Sequence, residues 1–317
     1  MHLCLDDYLT GRWDECAELA DEGIQVCEES GYRFFTWYFW YCRAVVAAPR
    51  ADYTTADRLT DQITRFATPR GVGTALHYAR HVDTLADIGR SNFESAYRHA
   101  AAVSPAGTLA SHAPHALWVA MDLVEAAVRT NRRAEAATHV RAMQESDMAA
   151  LSPRLALLAG GSAALCADED GDAISLFAKK LELPGVERWP FDLARVQLAY
   201  GERLRRAQAN SDSRGPLSMA YDAFALLGAR PWMEHASKEL RATGWIAPRA
   251  AAAGGRVLTP QEREIADLAA AGLSNKQITE RLYLSHRTVG AHLYQIFPKL
   301  GISSRAALRD ALAALGE

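Results

Sequence analysis

The sequence is as informative in what it lacks as in what it contains. No Gly-Lys dipeptide occurs in its 317 residues, and a Walker-type phosphate loop needs one to bring an ammonium to the nucleotide, so ATP hydrolysis through such a loop is excluded. Its five cysteines, Cys4, Cys16, Cys27, Cys42 and Cys166, contain no Cys-x-x-Cys pair. An odd set of that kind points away from a disulfide framework and toward reduced thiols in a cytoplasm. No stretch approaches the roughly 18 apolar residues of a membrane span, and Met1-His2-Leu3-Cys4-Leu5-Asp6-Asp7 lacks the basic and apolar regions of a signal peptide. No run alternates apolar and polar residues, the mark of a half-buried strand. These absences leave a soluble, cytoplasmic, all-α protein with no membrane partner.

A composition of 49% hydrophobic and 23% charged residues suits two or three globular domains. Net charge is −3 and unevenly divided. From Arg256 onward eight basic residues face six acidic ones, leaving 27 basic and 32 acidic in the first 255 residues. A basic end on an acidic body is the footprint of a polyanion-binding module confined to one end.

Through the first 240 residues, apolar positions recur every three or four residues in an Ala-, Leu-, Glu- and Arg-rich background, as in successive amphipathic helices. A longer period lies over this one. Trp13-x-x-Cys16, Tyr53-x-x-Ala56, Phe93-x-x-Ala96 and Arg133-x-x-Ala136 stand 40 residues apart, with looser echoes at Asp172-Ala173 and Met219-Ala220. A turn, a large residue and then a small one predict stacked helical hairpins with close helix contacts. This pattern resembles tetratricopeptide-like repeats with a longer period. Residues 31–41 hold eight aromatics, predicted to fill inter-repeat core or to line a groove for a small-molecule or protein ligand. Residues 244–257 lose the helical period and carry Gly and Pro, which divides the chain into a repeat domain (1–243), a linker (244–257) and a C-terminal domain (258–317).

Helix punctuation is dense in the last sixty residues. Leu258-Thr259-Pro260-Gln261-Glu262 offers a Thr cap, a Pro at the first helical position and a capping-box Glu. Gly272 closes that helix, Ser274 caps a second (Asn275 to Leu282), and Tyr283-Leu284-Ser285 turns into a third (His286 to Leu300). Two helices joined by a tight turn make a helix-turn-helix. In the third helix Val289, Leu293, Ile296, Phe297 and Leu300 form the buried stripe, so Arg287, Gly290, Ala291, Tyr294 and Pro298 face the other way, toward a DNA major groove. Gly290 and Ala291 allow close backbone approach, and Tyr294 and Gln295 offer polar reach to base edges. Asn275, Lys276, Ser285, Arg287, Thr288, Lys299 and Arg305 are the predicted phosphate contacts. Pro298 removes an amide donor and predicts a bend or tightening.

Over about fifty ungapped residues, Leu258-Thr259-Pro260-x-Glu262-x-Glu264-Ile265, Gly272-Leu273-Ser274-Asn275-Lys276-x-Ile278, Leu282-x-Leu284-Ser285-x-x-Thr288-Val289 and Lys299-Leu300-Gly301-Ile302-x-Ser304-Arg305, the chain resembles the DNA-binding domain of LuxR-type regulators. The resemblance implies a four-helix domain and a homodimer on DNA. Its fourth helix (304–315) would supply the dimer contacts through Ala307, Leu308, Ala311 and Leu312. Where family members often carry a charge, this chain has Gly290. Residues 191–206, followed by Leu227-Gly228-Ala229-x-Pro231-Trp232, resemble the helical repeats beside that domain in the large ATP-binding, MalT-like members. With no Walker A loop, the chain reads either as a shortened member or as the C-terminal piece of a longer reading frame, and the helical opening at Leu3 favours the shortened form.

Other constellations dissolve on inspection. His77 and His81 share a helix face, but no glutamate completes a zincin motif. In Asp168-Glu169-Asp170-Gly171-Asp172 the glycine stands fourth instead of sixth for a calcium loop. Gly160-Gly161-Ser162 lacks the flanking pattern of a nucleophile elbow and reads as a close helix contact. His292 reads as a packing and phosphate-side residue. No catalytic group, metal site or cofactor is predicted. The leading reading is a sequence-specific DNA-binding regulator of duplex DNA. The other is an interaction scaffold whose DNA domain is weak or inactive.

Overall fold

The computed structural model describes residues 2–32, 34–109, 114–244, 258, 260–282, 286–300, 302 and 305–313. Contacts divide the chain into two compact units, Met1–Trp245 and Ile246–Glu317, and every regular element among the described residues is helical. Apart from Gly244, the linker read at 244–257 lies outside the described residues.

The first unit is a run of antiparallel hairpins. They pair α1 (His2–Leu9) with α2 (Trp13–Glu29), α3 (Thr36–Ala47) with α4 (Tyr53–Ala67), and α5 (Gly73–Gly89) with α6 (Phe93–Val103). Next come α7 (Ala120–Arg129) with α8 (Arg133–Glu145), α9 (Pro153–Cys166) with α10 (Asp170–Leu181), α11 (Pro190–Arg206) with α12 (Asn210–Leu227), and then α13 (Arg230–Ala242). Each odd-numbered helix also packs on the next odd-numbered one.

The forty-residue period is a repeated turn. Gly11, Ala51, Ser91 and Asn131 all adopt left-handed backbone, with φ of 82°, 63°, 60° and 62°. The following N–H groups of Arg12, Asp52, Asn92 and Arg132 donate back to Asp7, Ala47, Asp87 and Ala127 at 2.8 to 3.0 Å, closing the orphan carbonyls of the outgoing helix. The carbonyls of the same four residues accept from Cys16, Ala56, Ala96 and Ala136, which starts the next helix. Arginines just ahead of two of these turns stack on the aromatic of the previous repeat, Arg50 over Trp13 at 5.7 Å and Arg90 over Tyr53 at 4.2 Å.

The fourth residue of every even helix from α2 to α12 is small and buried: Cys16, Ala56, Ala96, Ala136, Ala173 and Ser213. A short side chain there lets the helix lie close to its partner. The last of these corrects the sequence reading, because Met219-Ala220 lies in mid-α12 and Ser213 holds the equivalent position, five residues after the left-handed Gln208. Gly160 and Gly161 make the expected close contacts, against Lys180 and Val196 respectively.

The stack does not remain open at its ends. Trp13 meets Phe191 edge-on at 5.3 Å, and Phe191 in turn meets Trp232 at 5.1 Å. A Cβ at Gly11 would lie 2.6 Å from Pro190, and Arg50 Nε donates to the Leu227 carbonyl at 3.2 Å. The last three helices therefore pack back on the first hairpins around one apolar core, and a second core lies under α7–α11. Of the aromatic run, Trp37, Tyr38 and Tyr41 are buried, Phe39 and Trp40 half-buried, and Tyr32, Phe34 and Phe35 stay 64%, 55% and 47% exposed. Core filling accounts for the first three of these rings.

Charged groups hold the interior of this unit. Arg195, Asp122 and Glu202 are all nearly inaccessible, and Arg195 lies 2.6 Å from Asp122 and 2.8 Å from Glu125. Glu202 takes Arg129 and His235 at 2.9 Å and Arg206 at 3.1 Å, joining α7, α11 and α13. Burial pushes the Glu202 carboxyl up, but the His235 hydrogen bond and the Arg129 charge outweigh it and hold the pKa at about 2. A folded pKa below the unfolded value means the cluster stabilises above the ordinary carboxylate range and loses that contribution as pH falls through about 2. Between about pH 5 and about pH 2 the wild-type chain is expected to lose on the order of 3 kcal/mol relative to Glu202→Gln. Urea unfolding of the two chains across that range checks this, and parallel pH profiles would contradict it.

His81 and His77 find side-chain partners inside the unit. His81 Nδ1 lies 3.1 Å from Tyr41 Oη, and burial lowers its pKa to about 3. His77 lies 2.6 Å from His115. Asp168 and Asp170 pair with Arg133 and Arg203. Among the described residues no metal-ligating cluster occurs, and no helix is long and apolar enough to cross a membrane.

Candidate nucleic-acid interface

The second unit contains α14 (Pro260–Ala270), α15 (Asn275–Leu282), α16 (His286–Leu300), a 3-10 turn at Arg305–Ala307 and α17 (Leu308–Ala313). Gly272 ends α14 at φ 90°, a conformation that disfavours any side chain. The Leu273 N–H behind it reaches the Leu268 carbonyl at 3.2 Å. Ser274 starts α15 with a reciprocal capping box: its Oγ accepts from the Gln277 N–H at 3.4 Å, and its own N–H donates to Gln277 Oε1 at 2.8 Å. The Gln277 half of that box is a signal the sequence does carry, in the spacing Ser-x-x-Gln. Thr259 and the turn at 283–285, including Ser285, lie outside the described residues.

The apolar stripe read from the sequence is the core. Ile265 and Ala269 of α14, Ile278 of α15, and Val289, Leu293, Ile296 and Leu300 of α16 are buried, with Leu268, Leu282 and Phe297 packed against them. Residues 286–300 form one α-helix through Pro298, without the early tightening expected there. With that stripe inward, helical periodicity sets positions 287, 291, 294, 295 and 298 on the opposite side and 290 at its flank. A Cβ built on Gly290 meets nothing within 4 Å, so packing does not demand glycine and the helix surface is open there. The side chains of Lys276, Arg287, Thr288, Ala291, Tyr294 and Gln295 lie outside the described residues. His292 is half-buried, with its Nδ1 among the buried polar atoms.

Two of the predicted phosphate cations are engaged within the domain. Lys299 Nζ lies 2.5 Å from Glu262 Oε1, whose side chain is only 4% exposed. A carboxylate buried in the first turn of α14 needs a countercharge, and a long lysine on α16 supplies it. Arg305 donates to Asn275 Oδ1 at 2.7 Å and to the Leu273 carbonyl, and Arg309 reaches the Ala270 carbonyl at 3.4 Å. These are acceptors at and beyond the end of α14, where carbonyls lack helical donors. Lys299 and Arg305 thus brace α14 and α15 within the domain. Lys299→Met is expected to destabilise this unit by about 2 kcal/mol, and Glu262→Gln in the same chain to restore most of it. Amide exchange of α16 measures both. A phosphate-holding Lys299 would leave exchange unchanged and only flatten the salt dependence of DNA binding.

Leu308 and Leu312 are buried in the domain's own core, since leucines four apart on so short a helix have α14 and α16 as their apolar neighbours. Ala307 at the end of the 3-10 turn and Ala311 on α17 are half-buried.

Residues 256–311 match the family described as bacterial regulatory proteins, luxR family. The chain is 49% identical over 59 residues to Mb0914c of Mycobacterium bovis and likewise to Rv0890c of Mycobacterium tuberculosis, proteins whose names describe HTH-type transcriptional regulators. That stretch is 19% of this chain and 7% of each relative, so the chain matches only a small part of those proteins. It is 43% identical over 53 residues to the oxygen regulatory protein NreC of Staphylococcus aureus, covering 17% of this chain and 24% of that protein. No solved structure gives a significant match. With its capped α15 and buried α16 stripe, the segment 256–311 is a helix-turn-helix domain of the luxR family.

Proposed function

We propose that the protein is a sequence-specific transcriptional regulator that binds duplex DNA through residues 258–317. The observation that carries this reading is the luxR-family domain itself, whose apolar stripe lies in the core while the α16 surface is open at Gly290. In this reading Asn275, Lys276, Ser285, Arg287 and Thr288 hold phosphates at the starts of α15 and α16, where backbone amides and helix dipoles already favour anions. Gly290, Ala291, Tyr294 and Gln295 meet the bases. A homodimer on two half-sites uses the accessible side of α17 near Ala307 and Ala311. The repeat body receives a small molecule or protein partner and sets access to the operator. Two features support that role: a cleft of about 350 Å³ lined by Trp40, Arg43, Arg58 and Gln62, and the exposed Tyr32, Phe34 and Phe35. A kinship with the large ATP-binding regulators belongs to the same proposal, the repeat body standing where theirs adjoins the DNA-binding domain.

Mapping chromosomal sites bound by the intact chain tests the reading. It expects discrete peaks sharing a two-half-site sequence, lost when Lys276 and Arg287 are replaced by alanine. Unchanged occupancy in that variant would favour a scaffold recruited by its repeats. Gly290→Ala separates folding from recognition. It should stabilise α16 by up to about 1 kcal/mol, because glycine is a poor helix former and the added methyl meets open space, while weakening operator binding several-fold by occupying the closest approach to the bases. Thermal melting and duplex titration of the same sample check the two signs, and unaltered affinity would remove Gly290 from the base-facing set.

A further inference from the structure

The slot that Trp13, Tyr53 and Phe93 fill in successive forty-residue repeats is taken by Arg133, the first residue of α8. Neither the repeat nor the helix asks for a cation there. The other three slots hold aromatics, and the positive end of a helix dipole repels a guanidinium. Its partner Asp168, at 3.4 Å, is an exposed carboxylate, so that pair contributes little. What Arg133 does reach is a cavity of about 240 Å³ in the repeat unit, bounded by α7, α9, α10 and α11.

Four guanidinium groups line that cavity, those of Arg129, Arg133, Arg203 and Arg206, against the two carboxylates of Glu125 and Glu202. Its wall is therefore positive, in a body where 27 basic residues face 32 acidic ones. The two carboxylates are already shared out. Glu202 alone serves Arg129, Arg206 and His235, and Glu125 serves the buried Arg195. Arg203 is engaged by Asp170 and by the Ala167 and Asp168 carbonyls. Arg129, Arg133 and Arg206 keep 29%, 54% and 53% of their side chains exposed, so their further N–H groups can reach a ligand. Val128, Leu165 and Phe177 add an apolar wall. A larger cleft of about 670 Å³ shares Glu125 and Arg129 with the cavity and offers a wide approach.

We propose that this cavity binds a small organic anion, a phosphate monoester or a carboxylate, whose head meets Arg129, Arg133 and Arg206 and whose apolar part lies against Leu165 and Phe177. Guanidinium groups suit either head, because their planar N–H pairs match two oxygens of a carboxylate or a phosphate. The volume equals that of about eight waters at ~30 Å³ each, which limits the occupant to a single ring or short chain with its head group. The inference rests on the reading of the repeat body as a ligand receiver, and it gives that ligand a charge and a place apart from the Trp40 cleft.

Calorimetric titration of the intact chain with phenyl phosphate, phenylacetate and 2-phenylethanol tests the site, since the three probes share a ring and differ in head charge. At least one anion is expected to bind about tenfold more tightly than the alcohol, and the tighter of the two names the head group. Arg133→Gln should weaken that anion by about tenfold. Its one ion pair among the described residues is the exposed one with Asp168, so this variant should melt with the wild type. Arg206→Gln should weaken binding as well. Anions bound no more tightly than the alcohol, or bound equally by Arg133→Gln, would overturn the proposal. Loss confined to the Lys276→Ala/Arg287→Ala chain would place the probe on the DNA-binding domain and overturn it too. Operator titration of the same samples keeps the two readings apart. A chain that binds its operator but neither anion loses this site and remains a regulator, whereas anion binding without operator affinity keeps the site and removes the regulator.

Discussion

Arg195→Leu is expected to destabilise the repeat unit by about 3 to 5 kcal/mol, the usual cost of stripping one partner from a buried ion pair. Burial works against the Arg195 cation, but Asp122 and Glu125 outweigh it and keep its pKa above the ordinary arginine value. Removing that cation strands Asp122, whose side chain is 1% exposed, and burial already pushes its carboxyl up. The guanidinium also lies over Phe191 at 5.8 Å, the ring that links the first hairpin to the last helices, so its loss should loosen the junction of the two ends. Asp122→Asn on the same background should recover part of the loss, because the stranded charge is then gone. Guanidinium unfolding of the three chains measures it. A single variant within about 1 kcal/mol of wild type would show that the pair does not hold the interior.

The second large effect concerns DNA. Replacing Lys276 and Arg287 together by alanine is expected to weaken operator binding by about 100-fold and to lower the salt slope by about two, one for each phosphate that no longer meets a cation. The weakening should be nearly the same for operator and unrelated duplexes, whereas Tyr294→Ala should change the preference between them. Both measurements come from competition titrations with the intact chain. Equal affinity in the double variant would leave the starts of α15 and α16 without a phosphate role.

How legible these features were depended on the range of the forces behind them. The forty-residue turn was readable because its parts are local: a left-handed residue, a capping carbonyl and a small residue four positions into the helix. The same turn before α12 is harder to read because Gln208 stands where the forty-residue series has Gly, Ala, Ser or Asn, and Ser213 where it has Cys or Ala. The return of Phe191 to Trp13 crosses most of the body and leaves no local pattern. Arg195 looks in the sequence like any solvated arginine, and only burial shows what it holds. The α16 stripe was legible from periodicity, and Gly272 and Ser274 from capping chemistry. The sequence could not say that Lys299 answers a buried Glu262 or that Arg305 holds the Leu273 carbonyl and Asn275, since a charge facing phosphate and one facing a protein acceptor are written with the same letter. Leu308 and Leu312 pose the same ambiguity between an intradomain core and a dimer face.

The central claim, that residues 258–317 grip duplex DNA electrostatically and then read it, meets its most direct test in equilibrium titration of the intact chain. A labelled duplex from its own upstream region would be titrated at low and at physiological salt, with unlabelled unrelated duplex as competitor. The account predicts binding that weakens by at least about tenfold as salt rises from about 50 to about 200 mM and that survives excess competitor. Absent binding, or binding indifferent to salt, would contradict it.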